Sequence, residues 1–312
     1  MKPRPDLPQA LAASVGLRVD RIDTPALVVD LDAMERNIAR MADFARKHQV
    51  LWRPHAKLHK SAEIALQLQR AGAVGACVQK TAEAEALAEG GVRDITITNQ
   101  VIAHPKLLRV ARLAARLQAQ GGRLALAVDS AEGIQRLAEA MAQAAPQARI
   151  DVLVEIDVGQ GRCGVPPGEP ALSLAQAVAR LTPLRFAGLH AYHGRAQHLH
   201  SAADRRDAIA AAVQAARHTR DLITNAGLPV PLVTGSGTGT LVHEAASGVY
   251  GELQAGSFLF MDADYARNER EPAQPAFEQA LFVKTQVISA CSSHAVCDAG
   301  HKSHAIDSGL PT

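Results

Sequence analysis

The feature that most constrains the fold is a repeat: short apolar runs, each followed by a stretch of helical spacing. From residue 50 onward the strand-like runs lie near residues 50, 74, 94, 124, 151, 185, 231 and 254. A tight hairpin joins only antiparallel strands, whereas parallel neighbours need a crossover such as a helix. Eight strand–helix units with short connections therefore predict a closed (β/α)₈ barrel, an α/β fold. An open doubly wound sheet shows the same alternation, but no Gly-x-Gly-x-x-Gly follows the first of these strands. A barrel takes about 250 residues, so a chain of 312 has room for more. One further strand, ALVVDL at 26–31, precedes the count, and residues 280–300 read as hairpin material. The expected division is a tail at 1–22, with one short helical turn, and a strand at 23–32 that joins a later sheet. The barrel follows at 33–270, and the start of a smaller β-domain at 271–312.

Local signals place the element ends. Asp32 and Glu35 form a capping-box-like pair for a helix reaching His48. Ser61 can cap a helix over 62–71, and a long helix over 202–226 stops at Gly227.

Charge and composition exclude several functions. The net charge is only +2, with both signs interspersed, and aromatic residues are 3% of the chain. Neither a basic stripe nor a stacking platform for nucleic acid is expected. No run of about 20 apolar residues is present to span a membrane. The opening MKPRPDLPQALAASVGL lacks the apolar core of a signal peptide. Cys77, Cys163, Cys291 and Cys297 form no Cys-x-x-Cys pair, which suits thiols in a reducing cytoplasm.

Candidate chemistry collects at the strand ends, where α/β folds bind ligands. In VLWRPHAKLHK (50–60), a period of two puts Leu51, Arg53, His55 and Lys57 on one face. That strand would aim Lys57 beyond its C-terminal end; the plainer alternative is a solvated basic loop. Gln79 ends the next strand. Leu153, Glu155 and Asp157 share a face, and the chain then runs into GQGRCG (159–164), which delivers Arg162. His190 and Tyr192 share the inward parity of their strand. TGSGTGT (234–240) precedes a short helix, and Gln254, Gly256 and Ser257 lie in the last strand. Glycine-rich loops are commonly plain turns. A loop dense in N–H and hydroxyl groups also makes a phosphate nest, and here no Walker lysine follows. His190, His193, His198 and His200 invite a metal reading, but they lack an HExxH frame. A lysine at one strand end and a phosphate nest across the barrel mouth suggest pyridoxal 5′-phosphate (PLP). That cofactor needs a lysine for its imine and a separate anion site.

At this level of detail the chain resembles the D-threonine aldolase and D-serine dehydratase-like family of alanine-racemase-type (fold type III) PLP enzymes. The motifs that carry the resemblance are DTPALVVDLDAMERN (23–37), RPHAKLHKS (53–61), GACVQKTAEAEALAEGG (75–91) and DVLVEIDVGQGRCGV (151–165). They continue with FAGLHAYHG (186–194), TGSGTGT (234–240), GVYGELQAGSFLFMDADY (248–265) and DAGHKSHAIDSGLP (298–311). The resemblance implies a PLP-holding barrel, a smaller β-domain and a homodimer with its sites near the interface. It implies Lys57 as the PLP lysine and Arg162 at the ring hydroxyl. Gln254 falls where alanine racemases place an arginine against the ring nitrogen. Thr238, Gly256 and Ser257 match phosphate positions, Tyr192 and Gln79 lie beside the cofactor, and His193 assists proton transfer or positions water. His190 matches a variable position and receives no role.

The implied reaction is retro-aldol cleavage of a D-3-hydroxy amino acid to glycine and an aldehyde. The alternatives are a dehydratase, giving ammonia and a keto acid, and a PLP-binding protein without turnover. The family also closes with a His-x-Cys or His-x-Asp pair that binds a divalent metal. No such pair occurs in this sequence. An incomplete β-domain and slow turnover of D-threonine are therefore expected, and no residue is assigned as a metal ligand.

Overall fold

The computed structural model describes residues 15–305. Much of the expected N-terminal tail, and the DSGLP segment, lie outside the described residues. The first strand, β1 (Ala26–Val29), leads into helix α1 (Leu31–His48). Eight strands follow in the order that the alternation predicts. They are β2 (Leu51–Trp52), β3 (Ala76–Val78), β4 (Asp94–Ile97), β5 (Arg123–Val128), β6 (Ile150–Glu155), β7 (Leu184–Ala191), β8 (Val233–Gly235) and β9 (Glu252–Leu253). The intervening helices are α2 (Ala62–Arg70), α3 (Thr81–Glu89), α4 (His104–Ala119), α5 (Ala131–Ala144), α6 (Glu169–Ala179), α7 (Ala202–Asn225) and α8 (Leu241–Ala246).

All eight strands pair in parallel, in the order β2-β9-β8-β7-β6-β5-β4-β3. The ring closes where the chain after β2 meets β3. Val74 N donates to Trp52 O and Cys77 N to Pro54 O, each at 3.0 Å, and His55 bridges Cys77. Closure rules out the open sheet. One apolar core packs strand residues such as Val78, Ile97, Leu126, Val152 and Leu189 under the outer helices. A second joins Met34, Met41 and Phe44 of α1 to Trp52, Leu253 and Phe258. Trp52 meets Phe258 edge-on at 6.1 Å between ring centroids.

Two expected strands are much shorter than their sequence pattern. In the run at 50–57 the strand proper is only Leu51–Trp52; Pro54 has no N–H to donate, and beyond it a single bridge at His55 remains. Lys57 therefore sits in a 3₁₀ turn, Ala56–Leu58, just past the strand rather than on it. The run at 252–260 likewise gives way to a 3₁₀ turn at Ser257–Leu259. The cap of α1 also moves: the Asp30 carboxylate accepts from Ala33 N at 3.0 Å, so the cap is Asp30 rather than Asp32. Ser61 caps α2 as expected, accepting from Ile64 N.

Beyond a short helix α9 (Ala263–Ala266) the texture changes. β10 (Leu281–Lys284) pairs antiparallel with β1, and β11 (Val287–Ala290) forms a hairpin with β12 (Ala295–Cys297). Phe282, Val287, Ile288 and Val296 on these strands are exposed. Among the described residues, no helix is long and apolar enough to cross a membrane.

Candidate active site

A cleft opens where the barrel strands end. It holds about 770 Å³ of space not taken by atoms, the open solvent at its mouth included. Eight residues singled out in the sequence line it together: Lys57, Gln79, Arg162, Tyr192, Thr238, Gln254, Gly256 and Ser257.

Lys57 is the one lysine in this lining, and its Nζ lies 5.8 Å from the centre of the Tyr192 ring. The side chain is open to solvent through the mouth while protein surrounds it on the other sides. That partial desolvation, with Arg162 nearby as the second cause, lowers its pKa below the usual lysine value. Lys60 is different: it is ion-paired with Glu83, away from the cleft. Arg162 reaches the lining from a loop that Asp157 organises, its carboxylate accepting from Gly159 N and Gly161 N at 3.0 Å each. Asp157 therefore serves the loop rather than the barrel interior suggested by strand parity.

Among the described residues, the opposite end of the cleft carries no lysine or arginine. Ser236, Gly237, Thr238, Gly256 and Ser257 line it. Among the described residues, the backbone N–H groups of Gly237, Thr238, Gly256 and Ser257 donate to no protein acceptor. Thr238 Oγ1 accepts from Phe258 N at 2.9 Å, which leaves its hydroxyl proton free to donate. Glycine is required at two points here. A Cβ on Gly256 would stand 2.7 Å from His55 O, and one on Gly237 2.4 Å from Gln197 Oε1. Gln197 latches the loop: it accepts from Gly239 N at 2.9 Å and donates to Thr240 Oγ1 at 2.8 Å. Thr240 in turn donates to the buried Glu244 at 2.7 Å. Burial raises the Glu244 pKa to about 7, against hydrogen bonds from Thr240 and Ser236 that oppose the shift.

The cleft floor is a polar layer. Strand register sets Glu155, His190, Thr234 and Glu252 side by side across β6, β7, β8 and β9. All four are buried. Arg53, also buried, pairs with Glu252 at 3.0 Å and with Asp94. It anchors the layer instead of reaching the cleft.

His193 is the predicted residue that the structure does not bring to the lining. Its Nδ1 accepts from Ala196 N at 3.4 Å, and its ring packs against Gly159. Burial lowers its pKa, although Asp157 pulls the other way. His55, Thr98, Asn99, His190, Ser236 and Tyr265 also line the cleft, although sequence reasoning gave none of them a role of its own. The local signals were the parity that His55 shares with Lys57, the inward parity of His190 and the place of Ser236 in the TGSGTGT loop. His198 and His200 turn to Asp264 and Asn268 and do not converge with the other histidines. Among the described residues, no three or more His, Cys, Asp or Glu side chains gather as a metal group.

The cleft fits PLP on these observations: one lysine at a strand end, unused N–H donors around glycines too tight for a side chain, and a buried amide between them.

Comparison with known proteins agrees. Residues 29–264 match the family described as alanine racemase, N-terminal domain. The chain is 41% identical over 307 residues to a 3-hydroxy-D-aspartate aldolase of Paracoccus denitrificans (strain Pd 1222), covering 96% of this chain and 78% of that protein. It is 42% identical over 300 residues to a D-threonine aldolase of an Arthrobacter species, covering 96% and 77%. The crystal structure of D-threonine aldolase from Filomicrobium marinum superposes with a TM-score of 0.88 at 45% identity, over 93% of this chain and 76% of that one. The chain belongs to the alanine racemase N-terminal domain family.

Proposed function

We propose that this chain is a PLP-dependent lyase that cleaves D-3-hydroxy amino acids to glycine and an aldehyde. The observation that carries the reading is the pairing, in one cleft, of Lys57 with an uncharged cradle of N–H and hydroxyl donors at the far end. When bound, PLP supplies a sink for the electron pair released as the Cα–Cβ bond breaks.

The rest falls to the protein. Lys57 holds the cofactor covalently, and its amine, whose pKa burial and Arg162 lower, is the group placed to carry a proton once substrate displaces it. Thr238, Gly256 and Ser257 hold the phosphate with neutral donors, each contributing about 0.5–1.5 kcal/mol, more where the phosphate charge assists. Arg162 neutralises anionic oxygen beside Lys57. With the cofactor bound, Gln254 would hold the ring nitrogen, and Tyr192 and Gln79 would border the ring. His193, neutral near pH 7 because burial lowers its pKa, is the proposed acceptor for the β-hydroxyl proton through water at the loop. Among the described residues no three or more His, Cys, Asp or Glu side chains gather, and no step is assigned to a metal. The working form proposed is a cytoplasmic homodimer. The four free cysteines support the first part and the family resemblance the second. Residues 33–270 are taken as the PLP-holding unit and 271–312 as part of a second, β unit.

Product analysis on D-threonine, with and without added Mn²⁺, tests the reading. Glycine and acetaldehyde in equal amounts are expected. Ammonia with a keto acid would assign a dehydratase, and PLP uptake without product a binding protein.

A further inference from the structure

The buried polar layer fixes something that the cleft lining alone does not: which way the Gln254 amide points. The assignment follows from proton accounting along one chain of contacts. Arg53 Nε donates to Glu252 Oε2 at 3.0 Å, so this carboxylate stands as the partner of a permanent cation. The other oxygen, Glu252 Oε1, lies 2.9 Å from Thr234 Oγ1. A carboxylate can only accept, so the Thr234 hydroxyl donates to it. Thr234 then has only lone pairs left for Gln254, 2.9 Å away, and the amide must present its N–H there. The Gln254 carbonyl is thereby turned toward His190 Nε2 at 3.0 Å, and that ring nitrogen must carry the proton. The opposite amide orientation would leave two acceptors competing for one hydroxyl proton. Glu155 Oε1 stands 3.4 Å from His190 Nδ1, at the other side of the ring, while the second carboxylate oxygen, Oε2, accepts from Gln100 Nε2. Burial opposes the Glu155 charge, but His190 and Gln100 outweigh it and keep its pKa below the usual value.

We propose that His190 is a positioning residue. Set between Glu155 and Gln254, it locks the Gln254 amide with its carbonyl inward and its second N–H toward the cleft. That second amide hydrogen has no partner among the described residues, and Gln254 lines the cleft. A heteroaromatic nitrogen facing Gln254 therefore receives a hydrogen bond and stays unprotonated, since an N–H donor offers no acceptor for a pyridinium proton. The proposal rests on the PLP reading and goes beyond it, because it assigns the protonation state of the bound ring to a residue that does not itself need to touch the ring nitrogen.

The test is ¹⁵N NMR of the holoprotein loaded with PLP labelled at the ring nitrogen. The expected wild-type resonance is that of an unprotonated pyridine. In His190→Phe, the Gln254 carbonyl loses its donor and is free to turn toward the cleft, so the resonance should move toward pyridinium. His190→Gln, which restores an N–H donor, should bring it back. A merely structural role for His190 would alter melting temperature without moving this signal. A pyridinium resonance in the wild type overturns the proposal even if His190→Phe fails to fold, and so does an unchanged resonance in a folded, PLP-loaded His190→Phe. A folded wild-type protein that takes up no PLP sinks the cofactor reading and this inference with it. PLP bound on Lys57 with a protonated ring sinks the inference alone.

Discussion

The two ends of the cleft are built on opposite plans. At one end, Lys57 and Arg162 reach in on long side chains from turns beyond the strands. At the other, the lining is backbone and short hydroxyls, with Gln197, Thr240 and Glu244 buried behind it. The first plan suits groups that must form and break bonds during turnover. The second suits a part of the ligand that never changes, held by donors fixed in place before it arrives. The difference implies that damage to the first end shows in turnover and damage to the second in affinity and stability.

The largest expected effect is at the reactive end. Lys57→Ala should lower kcat by roughly 10³-fold or more while leaving the fold intact, because no other lysine among the described residues lines the cleft. Steady-state kinetics beside a circular dichroism melt checks both halves. Retained turnover would mean that the two ends are not divided as described.

Next comes the support behind the cradle. The folded pKa of Glu244 is raised to about 7 by burial, above the ordinary carboxyl value of 4.5. A raised carboxyl pKa contributes stability that is fully present below the unfolded value and is lost as pH rises through the folded one. Stability should therefore fall from about pH 4.5 upward and level off above about pH 7. Glu244→Gln should remove that fall, with a gain at pH 8.5 of up to about 3 kcal/mol and little change at pH 4.5. Thermal melts at both pH values read it directly. Equal effects at the two would show that Glu244 does not titrate in this range.

A smaller effect is expected at the cradle itself. Thr238→Val removes the free hydroxyl proton and the acceptor for Phe258 N. PLP affinity should drop about 5- to 10-fold, the worth of about 1 kcal/mol, with kcat at saturating PLP little changed. A fall in kcat with unchanged affinity would reverse the division between the ends.

The smallest lies back at the charged end. Desolvation lowers the pKa of Lys57 and Arg162 adds to the effect, so Arg162→Gln should raise it. The pH profile of amine acylation at Lys57 in the apoprotein should shift upward. No shift would place Arg162 too far from the amine to matter.

Much of this layout was readable from short stretches of chain. Strand–helix alternation sufficed for the barrel, and position at strand ends marked Lys57, Arg162, Gln254 and the TGSGTGT loop, which the structure brings to the cleft. Each of these is carried by neighbours in sequence. What was not readable depends on register between strands. Glu155, His190, Thr234 and Glu252 form one layer only because β6 to β9 align at that level. No local pattern shows which residues will stand opposite one another. Gln197 was equally hidden, since its partners Gly239 and Thr240 lie about forty residues away. Lys57 was found for a partly wrong reason: Pro54 ends the strand early, and a 3₁₀ turn rather than strand parity delivers the side chain. His193 was drawn from the resemblance alone, and its ring packs on the Gly159 loop instead of facing the cleft.

The division between the two ends stands or falls on which amine holds the cofactor. Borohydride reduction of the PLP-loaded protein, followed by proteolysis and peptide mass mapping, locates that amine. The account predicts a single pyridoxyl label on Lys57. A label on Lys60, whose amine is paired with Glu83 outside the cleft, or no reducible linkage at all, would contradict it.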